Sequence, residues 1–192
     1  MPRTKEFDPD AALDAAMVLF WRNGYEATSM ADLVEHLGIG KASLYGTFGN
    51  KHELYLKALA RYVETRDPSP VEMLSQPGPV LPAVRALVES YARGPGADQA
   101  PGCMVVNAAV ECCPDDTQVE RQVTSSWDAL EVALTSALTR ARAQGEISAD
   151  KGPRSLARFL LVVLQGMQVV GRSGRDTARL SAAARQALEA LA

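Results

Sequence analysis

The sequence predicts an all-α protein. Across most of its 192 residues, apolar side chains recur at intervals of three and four, the spacing of one helix face, and glycine, proline and capping residues separate these segments. We find no segment with the strict apolar–polar alternation of a half-buried strand. With 47% apolar and 22% charged residues, the chain has the composition of an ordinary globular protein.

Capping residues and glycines indicate where the first two predicted helices begin and end. Asp8, which is followed by proline, is a favourable helix start, and Gly24 ends the apolar repeat that begins there. In "TSMADLVEHLG", Thr28 or Ser29 caps a second, short helix that Gly38 terminates. The pattern therefore predicts two helices before the glycine-rich stretch that follows.

A helix-turn-helix is predicted from the next segment. The turn at residues 38–40 separates the second helix from a third at residues 41–48. Asn50 and Glu53 then form an asparagine variant of the capping box and start a fourth helix, "HELYLKALARYVE". Because two short helices joined by such a turn are the layout of a helix-turn-helix, we interpret this region as a DNA-binding unit.

The rest of the chain is also helical by pattern. A proline-rich connector at residues 68–82 has room for at most one helical turn, around residues 71–74, and a loop is predicted at residues 93–102. Further helices are predicted at "PAVRALVESYA", "CMVVNAAVECC", residues 115–144, residues 153–170 and residues 176–191.

Two of these later helices are predicted to meet a second copy of the chain. Residues 115–144 contain no glycine or proline and carry a continuous apolar stripe suited to packing along another helix. The central turns of residues 154–170 are apolar nearly all round, so this helix needs cover on more than one side. We therefore expect both helices to form a four-helix dimer interface.

The third helix has two contrasting faces. Leu44 and Phe48 lie four residues apart and share a face that we expect to be buried. The opposite face and its borders carry Ala42, Ser43 and Gly46, with Lys41, Tyr45 and Thr47 beside them. Small outward side chains let a helix backbone come close to DNA, and an alanine methyl can contact a thymine methyl in the major groove. The border groups suit phosphate oxygens on either side of the groove.

Several motifs in residues 8–62 agree at once. "FWRNGYEATSMADLVEHLGIGKASLYGTFGNKHEL" contains G-Y-x-x-T-S, a short helix ending in glycine, and K-x-x-L-Y-x-x-F-x-x-K. It resembles the N-terminal DNA-binding domain of the TetR family of transcriptional repressors. The resemblance implies an all-helical homodimer that binds a palindromic double-stranded DNA operator and is released by a small-molecule effector or by cysteine modification. It also implies a DNA-binding domain at residues 1–62 and an effector-binding and dimerisation domain at residues 63–192.

The resemblance also implies individual DNA contacts. Thr28 would bond a phosphate from the start of the second helix, and Lys51 would do so from the start of the fourth, where helix N–H groups add to phosphate binding. Gly46 departs from the family pattern, in which a larger polar side chain is common. The complete expected set is Thr28, Lys41, Ala42, Ser43, Tyr45, Gly46, Thr47 and Lys51.

The segment "APGCMVVNAAVECC" predicts where an effector would act. It resembles the branch of the family in which a Gly-Cys pair opens a helix of the effector domain, and some members of that branch respond to electrophiles or oxidants. A helix N-terminus favours a thiolate, and Cys103 meets that condition, although a small buried apolar residue is the alternative role. Asn107 and Glu111, one turn apart, and Trp127 are the other candidate effector contacts.

Other functions are excluded or kept as alternatives. No nucleophile lies beside a base, and the three cysteines form no CxxC pair, so we expect neither an enzyme nor a metal or cofactor site. The chain has no apolar run of about 18 residues and no signal peptide, which predicts a cytoplasmic protein without a membrane partner. The net charge is −3, and residues 1–62 carry −1. This charge leaves open an all-helical small-molecule-binding protein that does not bind DNA.

Overall fold

A computed structural model describes residues 7–66, 69–93, 102–113, 115–173 and 177–191 of the chain. Within these residues the secondary structure consists of ten α-helices without a β-strand, which confirms the predicted all-α class. The helices are α1 (Pro9–Asn23), α2 (Met30–Leu37), α3 (Lys41–Phe48), α4 (Lys51–Glu64), α5 (Pro70–Ser75), α6 (Leu81–Arg93), α7 (Met104–Glu111), α8 (Thr117–Ala143), α9 (Pro153–Ser173) and α10 (Thr177–Glu189).

The structure describes most of the predicted connector but little of the predicted loop that follows α6. The connector holds α5, which spans 6 residues and is thus longer than the single turn expected there. Most of the predicted loop at residues 93–102 lies outside the described residues, since residues 94–101 are not among them.

The chain packs as two compact units. The first comprises Met1–Arg66 and Cys103–Val123, and the second comprises Asp67–Gly102 and Thr124–Ala192. The first unit therefore contains α7 in addition to the four N-terminal helices. The predicted boundary between residues 62 and 63 separates a DNA-binding domain from an effector-binding and dimerisation domain. Because it divides functions and not packed units, it stays a prediction.

Capping residues set the helix ends in the first unit. The Asp8 side chain accepts a hydrogen bond from the Asp10 N–H at 2.9 Å and starts α1.

Ser29, rather than Thr28, caps α2. The Ser29 hydroxyl accepts a hydrogen bond from the Asp32 N–H at 3.1 Å, and the Asp32 carboxylate accepts one from the Ser29 N–H at 2.8 Å. The same reciprocal pattern joins the Asn50 and Glu53 pair at the start of α4, as predicted.

The core of the first unit is built mainly by α1 packing on α4. Phe20 of α1 meets Tyr55 of α4 edge to face, with 5.1 Å between ring centroids. Leu33 of α2 and Leu44 of α3 are fully buried in the same unit. These contacts fix the short helices α2 and α3 on the longer pair.

The second unit has its own apolar core, to which α5, α6, α8, α9 and α10 contribute. The Glu146 carboxylate, just after α8, accepts hydrogen bonds from the N–H groups of Val80 and Leu81 at 2.8 and 2.9 Å. It therefore satisfies free donors at the start of α6. Arg140 of α8 donates to the Leu74 carbonyl at 2.8 Å and holds the end of α5.

One face of the second unit exposes large apolar side chains. On α9, Phe159, Val162, Val169 and Val170 are 42%, 70%, 49% and 39% exposed. Their spacing of three, four and seven residues places them on one helix stripe, together with the exposed Gly166. Val132 of α8 is also exposed. Among the described residues, no helix is both long and apolar enough to cross a membrane.

Candidate nucleic-acid interface

The third helix is anchored by the two residues predicted to face inward. Leu44 and Phe48 are both buried. Before the helix, Gly38 adopts the left-handed conformation with φ of 64° and ends α2, and Gly40 occupies the N-cap position of α3. The glycine turn and the two buried side chains thus leave the other face of α3 directed away from the core.

That outward face carries the small and border residues expected there. The exposed positions are Lys41, Ala42, Ser43, Tyr45 and Gly46, while Thr47 is half-buried. The Lys41 ammonium lies 5.9 Å from the centroid of the Tyr45 ring. A Cβ atom added at Gly46 would meet no heavy atom of the described residues within 4 Å. The structure therefore brings six of the predicted DNA contacts together on one open helix face.

The two predicted phosphate contacts outside α3 are placed differently. Thr28 is fully buried, and its hydroxyl donates to the Gly24 carbonyl at 2.7 Å. The expectation that this side chain bonds a phosphate is corrected accordingly, because Ser29, and not Thr28, holds the exposed cap position. Lys51 donates to the Tyr25 carbonyl at 2.8 Å, and its ammonium lies 4.1 Å from the Tyr25 ring centroid. An ammonium has three donors, so a phosphate contact from Lys51 remains compatible with this bond.

Glu111, at the end of α7, contacts the backbone of the loop between α1 and α2. Its carboxylate accepts hydrogen bonds from the backbone N–H groups of Tyr25 at 3.0 Å and Glu26 at 2.9 Å. The Glu111 side chain therefore holds the backbone of the loop between α1 and α2, and an effector contact by Glu111 stays a prediction. Sequence reasoning missed this contact because the partners lie 86 and 85 residues apart, and no local pattern links them.

The remaining candidate effector residues are divided between the two units. Cys103 and Asn107 lie one turn apart at the start of α7, in the first unit, and both are buried. Trp127 belongs to the second unit and is half-buried; among the described residues its buried Nε1 has no hydrogen-bond acceptor. Cys103, Asn107 and Glu111 thus lie along one helix of the first unit, whereas Trp127 belongs to the second unit.

A polar group, the hydroxyl of a tyrosine, lies next to Cys103. The Tyr62 hydroxyl of α4 lies beside the Cys103 side chain and the Met104 N–H. Burial is the main reason that the pKa of Tyr62 lies well above its usual value. Cys103 caps α7 in extended conformation, but its side chain makes no capping bond.

The other two cysteines lie at the opposite end of α7. Burial raises the pKa of Cys112 to about 11, although a hydrogen bond from Tyr55 opposes the shift. Burial also raises the pKa of Cys113, and the carboxylates of Glu120 and Asp116 add to the effect. Both thiols therefore carry little thiolate near neutral pH.

Just beyond these cysteines, Asp116 pairs with a residue of α4. The His52 Nε2 lies 2.6 Å from the Asp116 carboxylate. Burial by itself would raise the pKa of Asp116, but hydrogen bonds from the Val119 N–H, His52 and the Gln118 N–H lower it overall. Within the described residues, His, Cys, Asp and Glu side chains form no group of three that could hold a metal ion.

Two family models match the chain. The model described as "Bacterial regulatory proteins, tetR family" matches residues 12–58, which include α2, α3 and the turn between them. The model described as "Tetracyclin repressor-like, C-terminal domain" matches residues 80–187, from the start of α6 into α10.

The chain is also similar to curated regulators. It is 35% identical over 184 residues to the uncharacterized HTH-type transcriptional regulator YezE of Bacillus subtilis, with 94% of each chain covered. It is 34% identical over 180 residues to the HTH-type transcriptional repressor ComR of Escherichia coli, covering 93% of this chain and 86% of ComR. The names of both relatives describe transcriptional regulators rather than enzymes.

A solved structure shows the same fold. It is a cysteine-substituted variant of the TetR family transcriptional regulator CifR, in complex with 26-base-pair double-stranded operator DNA. The TM-score is 0.86 and the sequence identity 31%, and the match covers 99% of this chain and 100% of the other. The two family models, the curated relatives and this fold agree. The chain therefore belongs to the TetR family of bacterial regulatory proteins.

Proposed function

We propose that the protein is a cytoplasmic, homodimeric transcriptional repressor that binds a palindromic operator through α3 and is released by a small molecule or by modification of Cys103. The observation that carries the proposal is the outward face of α3. It is open and built of small and polar side chains, and it is backed by the buried Leu44 and Phe48. The relatives add support, since ComR is a repressor and the structure of a CifR variant contains operator DNA.

In the proposed complex, α3 lies in the major groove. Ala42 and Gly46 allow close approach of the helix backbone, while Ser43 and Tyr45 reach base edges or phosphates beside them. Lys41 supplies a positive charge at the edge of the groove. Since the whole chain carries a net charge of −3, the affinity depends on these few contacts and not on a broad basic surface.

A palindromic operator requires two copies of α3, and the exposed stripe of α9 supports the expected dimer. A second copy of this chain would cover Phe159, Val162 and the neighbouring apolar residues, with α8 beside them, in a four-helix interface. Dimerisation sets the distance between the two recognition helices, which must match two major-groove segments one helical turn apart or a multiple of it. An effector releases the DNA if it binds the DNA-free state more tightly.

The direct test of the proposal is a gel shift with DNA from upstream of the protein's own coding region. Replacing Lys41 and Tyr45 together by alanine is expected to weaken binding roughly 100-fold, because about 0.7 kcal/mol for each of four contacts in a dimer gives about 3 kcal/mol. Arg142→Ala, in the last turn of α8, removes a charge from the second unit and should leave binding unchanged. If the wild-type protein retards no DNA, or if the double variant binds as well as the wild type, the proposal fails.

Cys103 is the proposed point of cysteine modification. We expect an electrophile such as N-ethylmaleimide to label Cys103 before Cys112 and Cys113, because the raised pKa values of the latter two limit their thiolates. Addition forms a C–S bond to the maleimide double bond, and the thiol proton ends on the adjacent carbon. The adduct should weaken DNA binding, since Cys103 is buried at the start of α7 and an added group there should displace this helix.

Mass spectrometry of the labelled protein, combined with anisotropy of a fluorescent operator, checks this prediction. Cys103→Ser keeps a small residue at the N-cap and should bind DNA like the wild type without responding to the reagent. Release of the operator while Cys103 remains unmodified would contradict cysteine sensing and leave a conventional ligand as the effector.

A further inference from the structure

The loop between α1 and α2 is held from two sides at Tyr25. On one side, the Glu111 carboxylate accepts from the Tyr25 N–H at 3.0 Å and from the Glu26 N–H at 2.9 Å. On the other side, the Lys51 ammonium donates to the Tyr25 carbonyl at 2.8 Å. The peptide groups that precede α2 are therefore fixed by one acidic and one basic side chain from two other helices, α7 and α4.

Gly24 makes the approach of the carboxylate possible. Its φ of 90° lies in the region that glycine adopts readily and other residues rarely do. A Cβ atom at this position would lie 2.8 Å from one Glu111 carboxylate oxygen and 2.9 Å from the other. Glycine is thus favoured here by the backbone conformation, and a larger residue would displace the Glu111 carboxylate from its present position.

The helix that carries Glu111 is itself tied to α4 along its length. Near its start, Cys103 lies beside Tyr62 of α4, and near its end, Cys112 lies beside Tyr55 of α4. Beyond its end, His52 pairs with Asp116 at 2.6 Å. A shift of α7 relative to α4 would therefore move Glu111 with respect to Tyr25.

The held loop leads directly into the DNA-reading helices. Glu26 precedes the first residue of α2, Met30, by four positions, and α3 follows α2 after the glycine turn. The position of the loop thus helps to determine how α2 and α3 are presented. Two adjacent N–H groups on one carboxylate define that position more sharply than a single bond would.

We propose that Glu111 is a positioning residue for operator binding: its carboxylate holds the Tyr25–Glu26 backbone and thereby links the orientation of α2 and α3 to the position of α7. The inference rests on the proposed function, since it concerns how the same DNA-binding face is regulated. Displacement of α7, for example by an adduct on Cys103, would withdraw the carboxylate and favour the DNA-free state. Glu111 itself touches neither DNA nor effector in this account.

The test compares Glu111→Gln with Glu120→Gln in the full-length dimer. A glutamine at position 111 offers one acceptor oxygen and would point its NH₂ group at a backbone N–H, so at least one of the two bonds is lost. Glu120→Gln removes the same charge from the exposed first turn of α8. The probe is a DNA duplex that the wild-type protein has selected from a randomised library, and its binding is followed by fluorescence anisotropy.

We expect Glu111→Gln to bind the selected duplex about tenfold more weakly, a typical size for coupling between sites, and Glu120→Gln to bind within about twofold of the wild type. Hydrogen exchange of the peptide covering residues 24–29 should be faster in Glu111→Gln alone, while helicity, dimerisation and melting temperature stay close to wild type. If Glu111 only stabilises the fold, its replacement should instead lower the melting temperature and raise hydrogen exchange throughout the protein.

The outcomes separate this inference from the proposed function. Failure of the wild-type protein to select any duplex would defeat the proposed function. Wild-type affinity in Glu111→Gln, with normal exchange of residues 24–29, would overturn the inference and leave the repressor assignment intact. If the glutamine variant does not fold, Glu111→Asp takes its place: it keeps the charge but is one methylene shorter and cannot reach both N–H groups.

Discussion

Replacing Gly46 with leucine is expected to stabilise the protein and, at the same time, to eliminate detectable operator binding. Glycine inside a helix costs about 0.5–1 kcal/mol relative to alanine, and leucine is also a strong helix former. Since no described heavy atom lies within 4 Å of a Cβ at this position, the larger side chain meets no clash in the free protein. In the complex, however, it would stand where the helix backbone must approach the DNA.

The opposite signs of the two effects make this prediction specific. Thermal unfolding should show a higher melting temperature, while anisotropy should show an affinity lower by at least about 1000-fold, roughly 4 kcal/mol. Gly46→Ala is the matched control: it should gain a similar stability and lose little affinity, because a methyl group still permits close approach. Wild-type affinity of the leucine variant would mean that Gly46 does not face DNA.

Replacing Val162 with glutamate is expected to separate the dimer and to abolish operator binding with it. Val162 is 70% exposed on the apolar stripe of α9, so a charge there should not disturb the core of the second unit. In the proposed interface the carboxylate would be buried in each protomer without a partner, which costs several kcal/mol. A monomer presents only one α3 and cannot hold both halves of a palindrome.

Analytical ultracentrifugation gives the oligomeric state of this variant directly. Val71→Glu is the control, since Val71 is a partly exposed valine of α5 outside the α9 stripe, and its replacement should leave a dimer that binds DNA. Circular dichroism should show equal helicity in both variants. A dimeric Val162→Glu protein with wild-type affinity would place the interface elsewhere.

The helix ends and the two faces of α3 could be predicted from the sequence because they depend on neighbouring residues. The start of α1 was predictable because Asp8 and the following proline form a cap within three residues, and the ends of α1 and α2 were predictable from Gly24 and Gly38. The two faces of α3 followed from helical spacing, since Leu44 and Phe48 had to share a side. All of these features depend on residues only a few positions apart.

Contacts between residues far apart in the sequence could not be predicted from local patterns. Glu111 looked like a polar group on an apolar helix, and only the fold places it against the loop that follows α1. Thr28 and Ser29 are both acceptable caps by type, but Ser29 has Asp32 three residues later to complete the reciprocal bonds, so Thr28 is left for the interior. The contact of Lys51 with Tyr25 likewise spans 26 positions.

Hydroxyl-radical footprinting of the wild-type protein on the DNA upstream of its own coding region shows whether a symmetric dimer binds through α3. We expect two protected half-sites of inverted sequence, centred about 10 base pairs or a multiple of that apart, as a symmetric dimer with one α3 in each major groove requires. Both should disappear together when Lys41 and Tyr45 are replaced by alanine. Protection of a single half-site, or uniform weak protection that the double substitution leaves unchanged, would contradict binding by such a dimer.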